Sequence, residues 1–303
     1  IRTPVRFSGR GVALGLQVLL WGLVKKVVIA DHLAVFVDAT YGQAAFASPA
    51  DLVIATYFFA FQLYCDFSGY SEMAIGAAKI LGIDLMENFR RPYLSTSTPE
   101  FWSDRWHLSL ATWFRDYMYI PMGGSRVPTL RKYGNVMAVF LVSGLWHGAA
   151  WTFVVWGGLN GLYHVLSVMT RKLRDGAASL LRIPGKVRHV WAIFVTFHLV
   201  LVTWVFFRAD SLSAATSIYS RIWGSFGTLP GLLRTRVTTP EILYSVGLIV
   251  ALMILEVFEE KAPLWKQLEE KPRVIRWAAY YAMILALVVL GSWGQQEFVY
   301  MQF

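Results

Sequence analysis

Residues 135–169 read NVMAVFLVSGLWHGAAWTFVVWGGLNGLYHVLSVM, with no Asp, Glu, Lys or Arg anywhere in the run. About 20 apolar residues suffice to cross the hydrocarbon of a bilayer, so this stretch is long enough for two passes or for one broken helix. Working outward from it, further apolar runs lie near 11–30, 51–67, 189–207, 241–258 and 277–293. The whole chain of 303 residues is 56% hydrophobic and 16% charged, against roughly a quarter charged in soluble domains. The fold class expected is therefore all-α and polytopic. The 13 Trp, 14 Tyr and 20 Phe suit a protein whose amphipathic rings sit at both headgroup layers.

The formal net charge of +9 raises nucleic acid as a partner. The basic residues lie between the apolar runs, however, where Lys and Arg mark cytoplasmic loops, so the charge reads as topology and no nucleic-acid partner is expected. The 171–188 loop carries Arg171, Lys172, Arg174, Arg182, Lys186 and Arg188 against Asp175 alone, which places it in the cytoplasm and Phe303 outside. The bias is small, since 208–240 also holds Arg208, Arg221, Arg234 and Arg236. Cys65 is the single cysteine; it can make no internal disulfide, and no cluster of zinc ligands forms around it. No metal site is expected. Ile1–Arg10 has no initiator Met and no signal-peptide pattern, so the N-terminus reads as truncated.

The segment 84–134 differs from its surroundings, being polar and aromatic without one clean span, and is expected at the membrane interface. Ser97-Thr98-Pro99-Glu100 is a helix start, with a hydroxyl cap, a proline in the first turn and an early acid. A helix is predicted from about 99 to 119. At 100° per residue Trp102, Trp106, Leu110, Trp113 and Tyr117 fall within about 40° of one line, with Glu100, Asp104 and Arg115 opposite, the pattern of a helix lying along the membrane plane. His107 sits at the edge of that stripe, one turn after Asp104, which is placed to accept from its imidazole. The plainer reading is an interfacial histidine satisfied by that aspartate.

The sharpest chemical signal is Ser143-Gly144-Leu145-Trp146-His147-Gly148-Ala149-Ala150-Trp151, inside the long apolar run. An ionisable group at bilayer depth must face a cavity or a partner, and is by default functional. The small residues one turn either side of His147 leave room for a substrate or for close packing, and a neutral buried imidazole is the form a general base needs. The alternative is an interhelical hydrogen bond that fixes packing. Asp66, with Gln62 and Tyr70 one turn away, reads as a structural polar contact or part of a substrate path, and His164 and His198 as helix–helix hydrogen-bonding groups. Gly123-Gly124 after Pro121 makes a turn. The chain has no Gly-x-Ser-x-Gly elbow, no His-Glu-x-x-His and no Walker motif, which takes support from a serine hydrolase, a zincin and a P-loop motor.

The runs Asn88–Ser95, Glu100-Phe101-Trp102, Arg105–Leu110, Thr112-Trp113, Arg115–Gly124 and Gly144–Ala149 together resemble the exopolysaccharide branch of the membrane-bound O-acyltransferases, its alginate-acetylating members most of all. Lys25-Lys26 with Ala30-Asp31, the Gln62–Tyr70 segment, Phe206–Ala209 and the closing Glu297–Phe303 support the resemblance, which runs along essentially the whole chain in order. It implies that residues 1–303 are the C-terminal portion of one such domain, the first helices lying before Ile1. It also implies a helical bundle, with interfacial and re-entrant helices, around a tunnel that joins a cytoplasmic acyl donor to an acceptor across the membrane. The family's invariant histidine maps onto His147 and a second polar position onto His107, with Asp104, Trp106, Asp116 and Trp146 as substrate-binding candidates.

The function so implied is transfer of an acetyl group from a cytoplasmic thioester, acetyl-CoA, to an exopolysaccharide hydroxyl, directly or through an extracytoplasmic partner acetyltransferase. No cofactor is expected to stay bound, and the setting is the bacterial inner membrane, with its lipid as a partner. Three alternatives stand beside it: D-alanyl transfer as in the teichoic-acid branch, a glycan transporter with His147 and Asp66 as a proton relay, and a structural assembly subunit.

Overall fold

The computed structural model describes residues 8–225, 239–260, 262–294 and 298–299; residues 1–7, Arg234, Arg236, Glu297 and residues 300–303 of the runs quoted above lie outside them. Helix α1 (Gly9–Leu23) passes through a π-helical turn (Val24–Ala30) into α2 (Asp31–Tyr41), followed by α3 (Pro49–Ile80), α4 (Thr98–Glu100) and α5 (Leu108–Phe114). Then come α6 (Thr129–His147), α7 (Trp151–Met169), α8 (Arg171–Leu180), α9 (Gly185–Arg208), α10 (Leu212–Ser225), α11 (Thr239–Glu259), α12 (Leu264–Glu269) and α13 (Arg273–Leu290). No strand occurs among the described residues. Five stretches there are long and apolar enough to cross a membrane, namely Gly9–Tyr41, Pro49–Ile80, Gly185–Arg208, Pro240–Glu259 and Arg273–Leu290. The chain is an all-α polytopic protein. The apolar run 135–169 is a broken pair, α6 and α7, parted at Gly148-Ala149-Ala150. Neither is among the five: α6 contains Arg131, Lys132, Asn135 and His147, and α7 contains Asn160 and His164.

The chain clusters into two compact units, Ile1–Glu87 with Ser225–Phe303, and Asn88–Gly224. In the first, α1 and α3 pack backbone to backbone on glycines: a Cβ on Gly15 would stand 2.5 Å from the Gly76 carbonyl oxygen, and one on Gly22 2.6 Å from that of Gly69. The π-helical turn then carries two consecutive lysines inward. Lys26 reaches Asp31 at 2.7 Å and Asp66 at 2.6 Å, while Lys25 reaches Glu72 at 2.6 Å. Asp66 also accepts from the Val299 amide at 2.8 Å, so its structural reading rests on two partners, Lys26 and Val299, far apart in sequence. Tyr70 is exposed and packs on Phe298, while Gln62 is buried.

In the second unit α6 and α7 pack in the same way. A Cβ on Gly144 would collide with the Phe153 carbonyl, and one on Gly157 with that of Phe140. Gly148 between them faces the Phe153 ring, where a Cβ would come within 2.5 Å of Cε2. The predicted 171–188 loop is largely helix, with α8 exposed along its length. Gly123 and Gly124 form the expected turn, with φ of +100° and +54°.

The continuous helix predicted over 99–119 does not form. It starts as expected, Ser97 Oγ accepting from the Glu100 amide at 3.3 Å, and runs through a π-helical turn over Phe101–Arg105. Trp106 is then extended and His107 left-handed, at φ 48° and ψ 56°, before α5 begins. A second segment wins the backbone groups at the break. Asn88 accepts from the Leu108 amide through its carbonyl at 3.0 Å and from the Ser109 amide through Oδ1 at 3.1 Å, and Arg105 O accepts from the Arg90 amide at 2.8 Å. A cap supplied from another part of the chain ends one helix and starts the next. The aromatic stripe is accordingly split: Trp106 is buried, whereas Trp113 and Tyr117 are exposed.

Candidate active site

The break at Trp106-His107 and the end of α6 at His147 bring the two histidines to one aromatic wall. Trp106, 2% exposed, is enclosed by Phe89, Tyr93, Phe101 and Trp204, with ring centroids 5.1–6.2 Å away. Its neighbour His107 stacks on Phe89 at 6.3 Å. From the other side His147 meets Trp156 edge-on at 5.1 Å and Phe207 at 5.4 Å. Trp156 and Trp204 lie nearly parallel, 6.1 Å apart, and Trp204 touches Trp106 at 5.1 Å. The wall therefore runs unbroken from one imidazole to the other. Each edge-to-face or offset contact of this kind adds about 0.5–1.5 kcal/mol beyond the area it buries, so the cluster is rigid as well as apolar.

One polar thread crosses it. Asn160, fully buried, accepts from Trp102 Nε1 at 3.2 Å and donates to the Trp156 carbonyl at 2.8 Å, with Thr203 Oγ1 at 3.5 Å from its Oδ1. Sequence reasoning missed Asn160, Trp156 and Trp204. The signal available was the four-residue spacing Trp156–Asn160, a tryptophan and an amide one turn apart within an apolar run.

The electrostatics of His107 report both its burial and its neighbour. Burial first, and then the positive form of His147, push the imidazole down to about 3, so His107 is neutral at physiological pH. A left-handed non-glycine residue costs of order 1–3 kcal/mol and persists where its surroundings over-determine it, as at functional sites. Here the Asn88 cap and the Phe89 stack supply that constraint.

The other predicted positions are placed differently. Asp104 is exposed and lies before the break, so the one-turn spacing to His107 that an unbroken helix would give is lost. Asp116 is exposed and pairs with Arg115 at 2.7 Å. Trp146 is 58% exposed and meets His147 edge-on at 5.0 Å. Because α6 ends at His147, Ala150 and Trp151 belong to the link and to α7 rather than to the next turn, and Trp151 is exposed. His198 Nδ1 lies 2.7 Å from the Phe194 carbonyl of its own helix, and His164 packs on Phe140 of α6.

Comparison with known proteins bears on this arrangement. Residues 3–208 match the model of the membrane-bound O-acyltransferase family. The chain is 41% identical over 248 residues to a protein named probable alginate O-acetylase AlgI from Azotobacter vinelandii, covering 81% of this chain and 47% of that one. It is 40% identical over 222 residues to a peptidoglycan O-acetyltransferase of Helicobacter pylori, covering 72% and 40%. To a teichoic acid D-alanyltransferase of Bacillus subtilis it is 35% identical over 155 residues, covering 48% and 38%. The chain thus spans about half the length, or less, of the curated relatives it matches. With the matched segment containing both histidines and the whole aromatic wall between them, this chain belongs to the membrane-bound O-acyltransferase family.

Proposed function

We propose that the protein is an O-acyltransferase of the bacterial inner membrane that moves an acetyl group from a cytoplasmic thioester, acetyl-CoA, to a hydroxyl of a cell-surface polysaccharide, directly or through an extracytoplasmic partner acetyltransferase. The observation that carries this reading is the pair His107 and His147, distant in sequence yet joined by ring contacts along one buried aromatic wall. His147 takes the proton of the acceptor hydroxyl as its oxygen attacks the thioester carbonyl carbon. The tetrahedral intermediate collapses with loss of the thiolate, which receives that proton, so that ester and thiol are the products. His107, neutral, orients the donor by a hydrogen bond. The apolar wall excludes water, which would otherwise hydrolyse the thioester. Acetyl is preferred over D-alanyl because the alginate and peptidoglycan relatives match over more of the chain, and at higher identity, than the D-alanyl-transferring relative.

The test uses the full-length protein in proteoliposomes loaded with acceptor and supplied outside with radiolabelled acetyl thioester. Covalent label on the acceptor without flux of unmodified glycan is the expected result, and flux without label favours the transporter. His147→Ala should reduce transfer by about 10²–10⁴-fold with membrane insertion intact, and retention of more than about a tenth of the rate removes the general-base role.

A further inference from the structure

The aromatic wall contains two donors that packing alone does not require. Trp102 spends its indole N–H on Asn160. Trp156 and Trp204, 2% and 0% exposed, keep theirs buried without a hydrogen-bond partner among the described residues. Native interiors pair nearly all such groups, and a purely apolar ring would avoid the cost. The same wall uses phenylalanine at Phe89, Phe101, Phe153 and Phe207. Asn160 Oδ1, buried in the same wall, already serves Trp102 and lies near Thr203. Trp156 stands edge-on to the His147 imidazole, and Trp204 lies nearly parallel to Trp156 at 6.1 Å, which puts one indole against the group assigned to take the acceptor's proton and the other one ring behind it.

We infer that the indole N–H groups of Trp156 and Trp204 are hydrogen-bond donors to the acyl carbonyl oxygen of the donor thioester, and that they stabilise the oxyanion formed when the acceptor attacks. The inference rests on the acyl-transfer reading above. As the carbon–oxygen bond to the acceptor forms, the carbonyl electron pair moves onto oxygen; it returns when the carbon–sulfur bond breaks, so the indoles change neither charge nor covalency. Donors of this kind work because they are fixed before the reaction and sit where water does not compete. Both conditions hold for rings locked between Trp106, His147 and Phe207.

The decisive experiment separates the N–H from the ring. In the full-length protein in proteoliposomes, Trp156 and Trp204 are replaced singly by phenylalanine, and singly by benzothienylalanine, which keeps the bicyclic shape and carries sulfur in place of N–H. The expected result is a kcat about 10²-fold below wild type for each benzothienyl protein, with the KM for acetyl thioester within about twofold, the signature of an interaction made in the transition state. Benzothienyl proteins within about threefold of wild-type kcat overturn the assignment even where the phenylalanine variants fail to fold, and so does a raised KM with kcat intact, which makes the rings packing or binding groups. If the wild-type protein itself transfers no acyl group from any thioester, it is the function reading that falls, and the two failures are distinguishable.

Discussion

His107 is the residue at which sequence and structure diverge most usefully. The helical wheel located it near an aromatic stripe but paired it with Asp104, whereas the fold breaks the helix beside it and turns it towards Phe89. As candidates, His147 stood out because an imidazole in an apolar run is conspicuous, and His107 through its place beside the aromatic stripe together with the resemblance. Asn160 and the two indoles escaped because their roles depend on helices brought together by tertiary packing. Two predictions belong at this scale. If the histidines act as a unit, a double-mutant cycle of His107→Asn with a His147 variant of measurable residual activity gives losses in rate that are not additive; fully additive losses separate the two sites. The second concerns acid. An unfolded imidazole titrates near 6.5 and His107 in the fold near 3, so between those values the unfolded chain binds the extra proton. The contribution of His107 to stability is therefore full above about pH 6.5 and is lost as pH falls towards 3. The midpoint of thermal unfolding in detergent should fall less steeply over that range for His107→Asn than for wild type, and parallel curves count against a buried neutral His107.

At the scale of elements, the membrane-crossing helices were readable because length and apolarity alone define them, and each of the spans at 11–30, 51–67, 189–207, 241–258 and 277–293 falls largely within a long helix. The break in the 99–119 helix was not readable, since the competing hydrogen bonds come from Asn88 and Arg90 rather than from any residue of the helix itself. No periodicity reports a cap supplied in trans. The start of that helix was readable because its cap is local: Ser97 holds the Glu100 amide, and Glu100 in turn holds Thr96 and Arg105. Removing the trans cap should therefore injure geometry more than fold. Asn88→Ala is expected to cost about 1 kcal/mol of stability, while its loss of transfer rate exceeds what so small a destabilisation explains, because His107 loses the constraint on its left-handed backbone. Thermal unfolding and kcat measured on one preparation check this, and an unchanged kcat refutes it. Likewise Gly157→Val, which drives a side chain into the Phe140 carbonyl, should separate α6 from α7 and abolish activity together with thermal stability.

At the scale of the whole molecule, the candidate site lies in the Asn88–Gly224 unit, and the buried ion pairs of Lys25 and Lys26 lie in the unit made of Ile1–Glu87 and Ser225–Phe303. Lys26→Met leaves Asp31 and Asp66 facing each other without their cation. Breaking a buried pair in this way costs about 3–5 kcal/mol, and adding Asp66→Asn should recover part of the loss; unfolding of the single and double variants in detergent measures both. The glycine contacts carry a different consequence. Gly15 meets Gly76 and Gly22 meets Gly69, seven residues apart on each helix, and Gly144 meets Gly157 in the other unit. Where bare backbones interlock at two levels, one helix cannot slide along its partner without forcing a side chain into a carbonyl. Shear, the usual way for packed helices to accommodate a bound molecule, is thus closed to the α1–α3 pair, and any opening there must come from bending at a hinge, for which the softened hydrogen-bond ladder of the π-helical turn at Val24–Ala30 is the natural place.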